Sequence, residues 1–161
     1  MQIHRKEEKE IQKALGKFPI VLLGGPKGVG KTYLALQVSE AWKKEGNKAS
    51  YMAVEAIGLK TTVPEGEYQT PVWREVFNPL PLDKSAAALA DLLQSFPEKS
   101  LVIIDEIDSI IGWEDVVEKK SKEGKLRFII ISSSGSFPSG KAKSWIGKFA
   151  VHKILEPLKK I

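Results

Sequence analysis

With 161 residues the chain has material for one domain with a substantial core, and two domains are not expected. Its 25 basic and 20 acidic side chains leave a formal charge of +5, which permits contact with nucleic acid but lacks the charge density of a DNA-packing protein. No cysteine is present, which excludes disulfides, thiolate metal sites and a cysteine nucleophile, and the longest apolar runs, around 18–23, 101–104 and 128–131, are far too short to span a membrane.

The amino terminus, Met1 to Glu8, is too charged for a secretory signal, so a cytoplasmic location is expected. Residues 4–15 set mixed charges around Ile3, Ile11 and Leu15, and Gly16 stands as a stop, predicting a helix within 1–16 that packs against a sheet. A strand follows at 18–23, then a glycine-rich loop at 24–31 and a helix from 31 to about 45, ending near Gly46. A second strand is predicted over 49–57. The stretch 58–83 contains Pro64, Pro71, Pro79 and Pro81 and reads as a long irregular connection, with Trp73 and Arg74 on a loop folded back onto the sheet or on a partner-binding tip. Ala87, Leu89, Ala90, Leu92 and Leu93 have helical spacing within 84–96, closed by Pro97. The apolar run 101–104 is a third strand, 113–122 a helix, 126–131 a fourth strand, and 150–155 a fifth. Strands that are apolar throughout and alternate with helices indicate a parallel sheet covered on both faces, a three-layer α/β architecture.

The loop carries the strongest signal. Residues 24–32 read Gly-Gly-Pro-Lys-Gly-Val-Gly-Lys-Thr, and Gly25 to Thr32 fill the frame G-x-x-x-x-G-K-[ST] between a strand and a helix. Gly25, Gly28 and Gly30 allow backbone amides to turn inward around phosphate oxygens, and Pro26, Lys27 and Val29 complete the loop. Lys31 supplies a positive charge for the β and γ phosphates of a nucleoside triphosphate, and the Thr32 hydroxyl stands where Mg²⁺ is held. The helix that continues through Tyr33 points its dipole at the anion.

Asp105 follows four aliphatic residues at the carboxyl end of a parallel strand, where ligands of such sheets bind, and is the expected Mg²⁺ partner of Thr32. Glu106 is placed to orient and polarise a water for in-line attack. Asp108 reads as a surface or capping residue. The fourth strand runs into Ser132, Ser133 and Ser134, where one hydroxyl could touch the γ-phosphate; a serine-rich turn is the other reading. His4 and His152 stand apart from other ligand types, so no transition-metal site is expected.

These three segments, Gly25–Thr32, Ile103-Ile104-Asp105-Glu106-Ile107 and Phe128 to Ser134, together resemble the AAA+ P-loop ATPases of archaeal type, over most of the chain. The resemblance implies ATP and Mg²⁺ as cofactors and a sheet order 5-1-4-3-2, with strand four between the phosphate-loop strand and the Asp-Glu strand. It also implies that Asp105 is the Walker B acid, Glu106 the catalytic glutamate acting with Lys31, and Ser132 or Ser134 the first sensor. Two departures stand out. Where such ATPases usually carry an arginine, the chain reads Ile146-Gly147-Lys148-Phe149, and lysine lacks the planar fork that holds phosphate. The sequence also ends at Ile161 without the helical lid that usually follows, so a minimal or truncated module, or an adenine pocket completed by a partner, is expected.

Slow intrinsic hydrolysis follows from the missing arginine, which a protein partner or a second copy of the chain would supply. A nucleotide-gated switch with negligible turnover is a second reading, and a small-molecule or nucleotide kinase a third. The kinase is disfavoured because only Arg74 and Arg127 lie outside the first helix. DNA is a weaker partner candidate, resting on Lys141, Lys143, Lys148, Lys153, Lys159 and Lys160, with Trp145 among them as a stacking aromatic.

Overall fold

A computed structural model describes residues 6–53 and 86–156. The first helix, α1, covers Lys6–Lys17 and buries Ile11 and Leu15. It runs through Gly16, because the effective stop is Pro19: a residue before proline is driven out of the helical region, which ends the helix ahead of Phe18. Strand β1, Ile20–Gly24, opens into the glycine-rich loop, and α2, Lys31–Lys44, leaves it. The remaining elements are β2 (Ala49–Ala53), α3 (Ala86–Leu93), β3 (Ser100–Asp105), a 3₁₀ turn at Ile107–Ser109, α4 (Trp113–Lys122), β4 (Leu126–Ser132), α5 (Gly140–Ser144) and β5 (Ala150–Ile154). The strand predicted over 49–57 is described only as far as Ala53, and the 58–83 connection lies outside the described residues.

All pairings are parallel, and the sheet order is β2-β3-β4-β1-β5, the 5-1-4-3-2 arrangement expected from the motifs. β1 and β3 are buried at every position, as central strands covered on both faces must be. Side chains alternate between two cores. Val21, Leu23, Leu101, Ile103, Ile129 and Ile131 meet Ile11 and Leu15 of α1 and Leu34, Ala35 and Val38 of α2. Ile20, Leu22, Val102, Ile104, Phe128 and Ile130 meet the opposite layer, Leu89 and Leu93 of α3, Val117 of α4 and Trp145 just after α5. The period-two alternation of apolar residues thus sorts one sheet into a three-layer sandwich.

The short α5, unassigned in the sequence, forms because Ala142 and Trp145 bury against that second layer. Trp145 is 1% exposed, and its indole N–H donates to a Glu118 carboxylate oxygen at 2.9 Å. It therefore offers no face for stacking on a base, which removes the aromatic from the sequence argument for DNA. Of the nearby lysines, Lys141 is engaged by Asp115 and Glu118 and Lys153 by Glu10, while Lys159 and Lys160 lie outside the described residues.

His152, on β5, has its Nε2 atom buried near Gly24 with no hydrogen-bond partner among the described residues. Burial lowers its pKa from the ordinary 6.5, since the charged form loses solvation. Unfolding restores the ordinary value, so this group's contribution to stability is complete above pH 6.5 and is lost as pH falls through the depressed folded value. Replacing it by a ring that cannot titrate, His152→Phe, is expected to shrink the acid-side loss of melting temperature below pH 6.5. Melting curves taken across pH for both proteins check this; parallel acid limbs would refute it.

Candidate nucleotide-binding site

The register of the sheet gathers the motif residues at one edge. Gly24 is level with Ser132, and Asp105 with Ile131, so the carboxyl ends of β1, β3 and β4 finish side by side. This is the crevice in which open parallel sheets bind ligands.

Gly25 has φ 140°, and a Cβ there would lie 2.4 Å from the Leu155 carbonyl oxygen. Only glycine satisfies both constraints, because the chain leaving β5 crosses directly over the loop's entrance, where Leu155 N–H donates to Gly24 O at 2.8 Å. Gly30, at φ 101°, turns the chain into α2 as its N-cap and accepts from Leu34 N–H at 2.9 Å. Across the loop Lys31 folds back, its Nζ donating to Gly25 O at 2.6 Å and to Pro26 O at 2.8 Å. Burial lowers the Lys31 pKa from its ordinary 10.5, and the carboxylates of Asp105 and Glu106 oppose that shift.

The Thr32 hydroxyl, one residue further, donates to Asp105 Oδ2 at 2.5 Å across 73 positions of sequence. Asp105 is 6% exposed. Hydroxyl and carboxylate form an oxygen-only donor set that suits a hard cation such as Mg²⁺, which takes one or two carboxylates and completes its shell with water and phosphate oxygens. No cluster of three or more His, Asp or Glu residues suited to a metal occurs among the described residues.

Glu106 adopts the left-handed conformation, φ 58° and ψ 49°, uncommon for a residue with a side chain and frequent at functional sites. Its N–H still donates to Ile131 O at 3.0 Å, so the turn leaves β3 while remaining tied to β4. Ser133 Oγ donates to Glu106 Oε1 at 3.2 Å, which fixes the carboxylate next to the tip of β4. Ser132 is fully buried; its hydroxyl donates to Asp108 and accepts from Ser134 N–H at 3.0 Å. Ser134 is exposed and its Oγ lies 2.9 Å from that of Ser136. Asp108, read from sequence as a surface or capping residue, is exposed and also ties the 3₁₀ turn to β4.

A family model described as "AAA domain" matches residues 17–159. The chain belongs to the AAA domain family. Among solved structures, the AAA domain resembles Cdc6p from Pyrobaculum aerophilum, with TM-score 0.52 and 13% identity over 91% of this chain and 44% of that one. It also resembles the Thermotoga maritima RuvB Holliday junction branch migration motor, with TM-score 0.52 and 16% identity over 94% and 45%. C. elegans PCH-2 gives TM-score 0.52 and 14% identity over 94% and 39%. The chain spans less than half the length of each of these three proteins. No curated protein matches it in sequence. Together with the strand order, the family assigns this chain the AAA+ P-loop ATPase core.

Two residues at the AAA domain's site take roles that the sequence did not single out. Ser133 stands between the two serines that the family resemblance selects, and only the path of β4 directs it to Glu106. Tyr51, on β2, donates its phenol to the same Asp105 oxygen as Thr32, also at 2.5 Å. In sequence it reads as an ordinary aromatic in a short strand. Burial, then the Asp105 charge, push the Tyr51 pKa far up, so its phenol remains a proton donor. Among the described residues no helix is long and apolar enough to cross a membrane.

Proposed function

We propose that this AAA domain binds ATP together with Mg²⁺, hydrolyses it slowly, and passes the change of state to a protein or nucleic-acid partner. The observation that carries the reading is the Thr32–Asp105 hydrogen bond, which joins the last residue of the phosphate loop to an acid at the tip of a different strand. In this mechanism the backbone of Gly25 to Thr32, with Pro26, Lys27, Gly28, Val29 and Gly30 between, surrounds the phosphates, and Tyr33 continues into the first turn of α2, whose dipole favours the anion. Lys31 neutralises charge as the β–γ bond breaks. Thr32 and Asp105 would hold Mg²⁺, which when bound supplies charge compensation on the phosphate oxygens.

Glu106 orients the attacking water and takes its proton, and Ser133 limits the directions its carboxylate can adopt. Ser132 and Ser134 remain the candidates for sensing the γ-phosphate, through the hydroxyl network that joins them. The slow rate follows from the lack of an arginine near the site among the described residues. Arg127 pairs with Leu101 near the start of β4, about 16 Å from the site-bearing end at ~3.3 Å per residue, and Lys148 likewise precedes β5 at the opposite edge. This placement also weighs against a kinase, which needs several cations around donor and acceptor. An arginine from a partner or a second copy would accelerate cleavage by about 10³–10⁵.

Phosphate release from ATP by the unmodified chain, measured with Mg²⁺ and with excess EDTA and no added acceptor, tests the proposal. Release that requires Mg²⁺ is expected. Release that appears only with an added phosphoryl acceptor would instead identify a kinase.

A further inference from the structure

Asp105 and Tyr51 meet through a geometry that few side chains can make. In the β2–β3 ladder Ala53 is level with Asp105 and Tyr51 with Ile103, so Tyr51 stands one diagonal step behind the acid on the same face of the sheet. Such diagonal neighbours are about 7–8 Å apart at the backbone, within reach of a long aromatic leaning along the strand. Tyr51 spans it with its ring buried, 1% exposed, and its hydroxyl 2.5 Å from Asp105 Oδ2. Thr32 Oγ1 donates to the same oxygen, so two short hydrogen bonds converge on Oδ2, one from α2 and one from β2, and the two hydroxyls also interact with each other. Among the described residues no side chain donates to Oδ1.

We infer that Tyr51 is a positioning residue for the magnesium site: its phenol holds the Asp105 carboxylate in one orientation, so that Oδ1 is presented to the metal or its water. The inference rests on the nucleotide-binding reading above. Two donors on one oxygen fix the plane of the carboxylate, whereas the Thr32 bond alone leaves it free to rotate about that contact. Hydrogen bonds to Oδ2 also withdraw charge from the carboxylate, which favours a magnesium ion that keeps its waters over direct capture of the metal. Thr32 must serve both the acid and the metal; Tyr51 serves the acid, and its role is to keep Asp105 in place when the Thr32 oxygen turns to the ion. Residues that orient metal ligands in this way typically change metal affinity by about 10–100-fold when altered.

The test uses the full chain with Tyr51→Phe, which keeps the ring and removes only the hydroxyl. Affinity for a fluorescent, non-hydrolysable ATP analogue is measured in EDTA and across a Mg²⁺ titration, alongside the melting temperature. The expected result is a rise of about tenfold in the Mg²⁺ concentration that half-saturates the enhancement of binding, with EDTA affinity changed less than about twofold. An unchanged Mg²⁺ requirement, or an equal loss with and without Mg²⁺, would overturn the inference while leaving the nucleotide site intact. Analogue binding by the unmodified chain that Mg²⁺ does not enhance would overturn the parent reading, and this one with it. If the variant does not fold, the unmodified sequence labelled with fluorotyrosine replaces it. Its three tyrosines are assigned by Tyr33→Phe and Tyr68→Phe. The remaining ¹⁹F resonance, from Tyr51, is expected to move when Mg²⁺ joins the nucleotide-loaded protein; a resonance that stays put would refute the role.

Discussion

Lys31→Ala is expected to lower the affinity for ATP by about 10²–10⁴. The ammonium group has two partners in the free protein, the carbonyls of Gly25 and Pro26, and both belong to the loop that must close on phosphate. Its position across the loop means that an arriving triphosphate meets a charge already held in place, so little conformational entropy is lost on binding. Hydrogen bonds to charged groups contribute about 1.5–3 kcal/mol each, and two of them to phosphate oxygens give the range stated. The substitution acts on the ligand more than on the fold, because Lys31 sits at the first turn of α2 and the apolar faces of that helix are untouched. Isothermal titration of ATP into both proteins, with melting curves as a folding control, reads this directly. A loss below about threefold would show that Lys31 does not meet the phosphates.

Glu106→Gln has a different signature. Nucleotide affinity is expected to stay within about threefold while turnover falls by about 10²–10⁴, the usual contribution of a positioned general base. The amide keeps the shape of the side chain and can still accept from Ser133 through its carbonyl oxygen, so the left-handed turn after β3 and its tie to Ile131 are retained. What the amide cannot do is take a proton from water. Single-turnover phosphate release beside equilibrium binding separates the two effects. Equal loss of both would mean that the carboxylate contributes to binding rather than to cleavage, and unchanged turnover would move the base to another residue.

The phosphate loop and the strand before it could be read from sequence because their requirements are local. Glycines at fixed offsets, a lysine and a hydroxyl residue at the helix start, and an apolar run leave few alternative conformations. The acid at the end of β3 was legible for a similar reason, since four consecutive aliphatics define both a central strand and the end of it. Helix boundaries were less so. Gly16 resembles a stop, yet the steric effect of Pro19 on Phe18 ends α1, and α5 has too few residues for a periodic pattern to emerge. Tyr51 was not legible, and Ser133 only as one of three candidate hydroxyls, because their contacts depend on which strands become neighbours. β2 meets β3 only through a long crossover, and the diagonal from residue 51 to residue 105 exists only after the sheet has formed. Trp145 shows the converse. Among lysines it suggests a nucleic-acid face, but burial against the α4 layer takes it out of solvent.

The account rests on a triphosphate held by the Gly25–Thr32 loop, with its metal shared between Thr32 and Asp105. A crystal structure of the full chain grown with Mg²⁺ and a non-hydrolysable ATP analogue tests that most directly. The expected density places the β and γ phosphates within hydrogen-bond reach of the loop amides and Lys31 Nζ, with an octahedral ion between the phosphates, the Thr32 hydroxyl and the Asp105 carboxylate or its water. An analogue bound away from this loop, or phosphates in the loop with the metal remote from both Thr32 and Asp105, would contradict it.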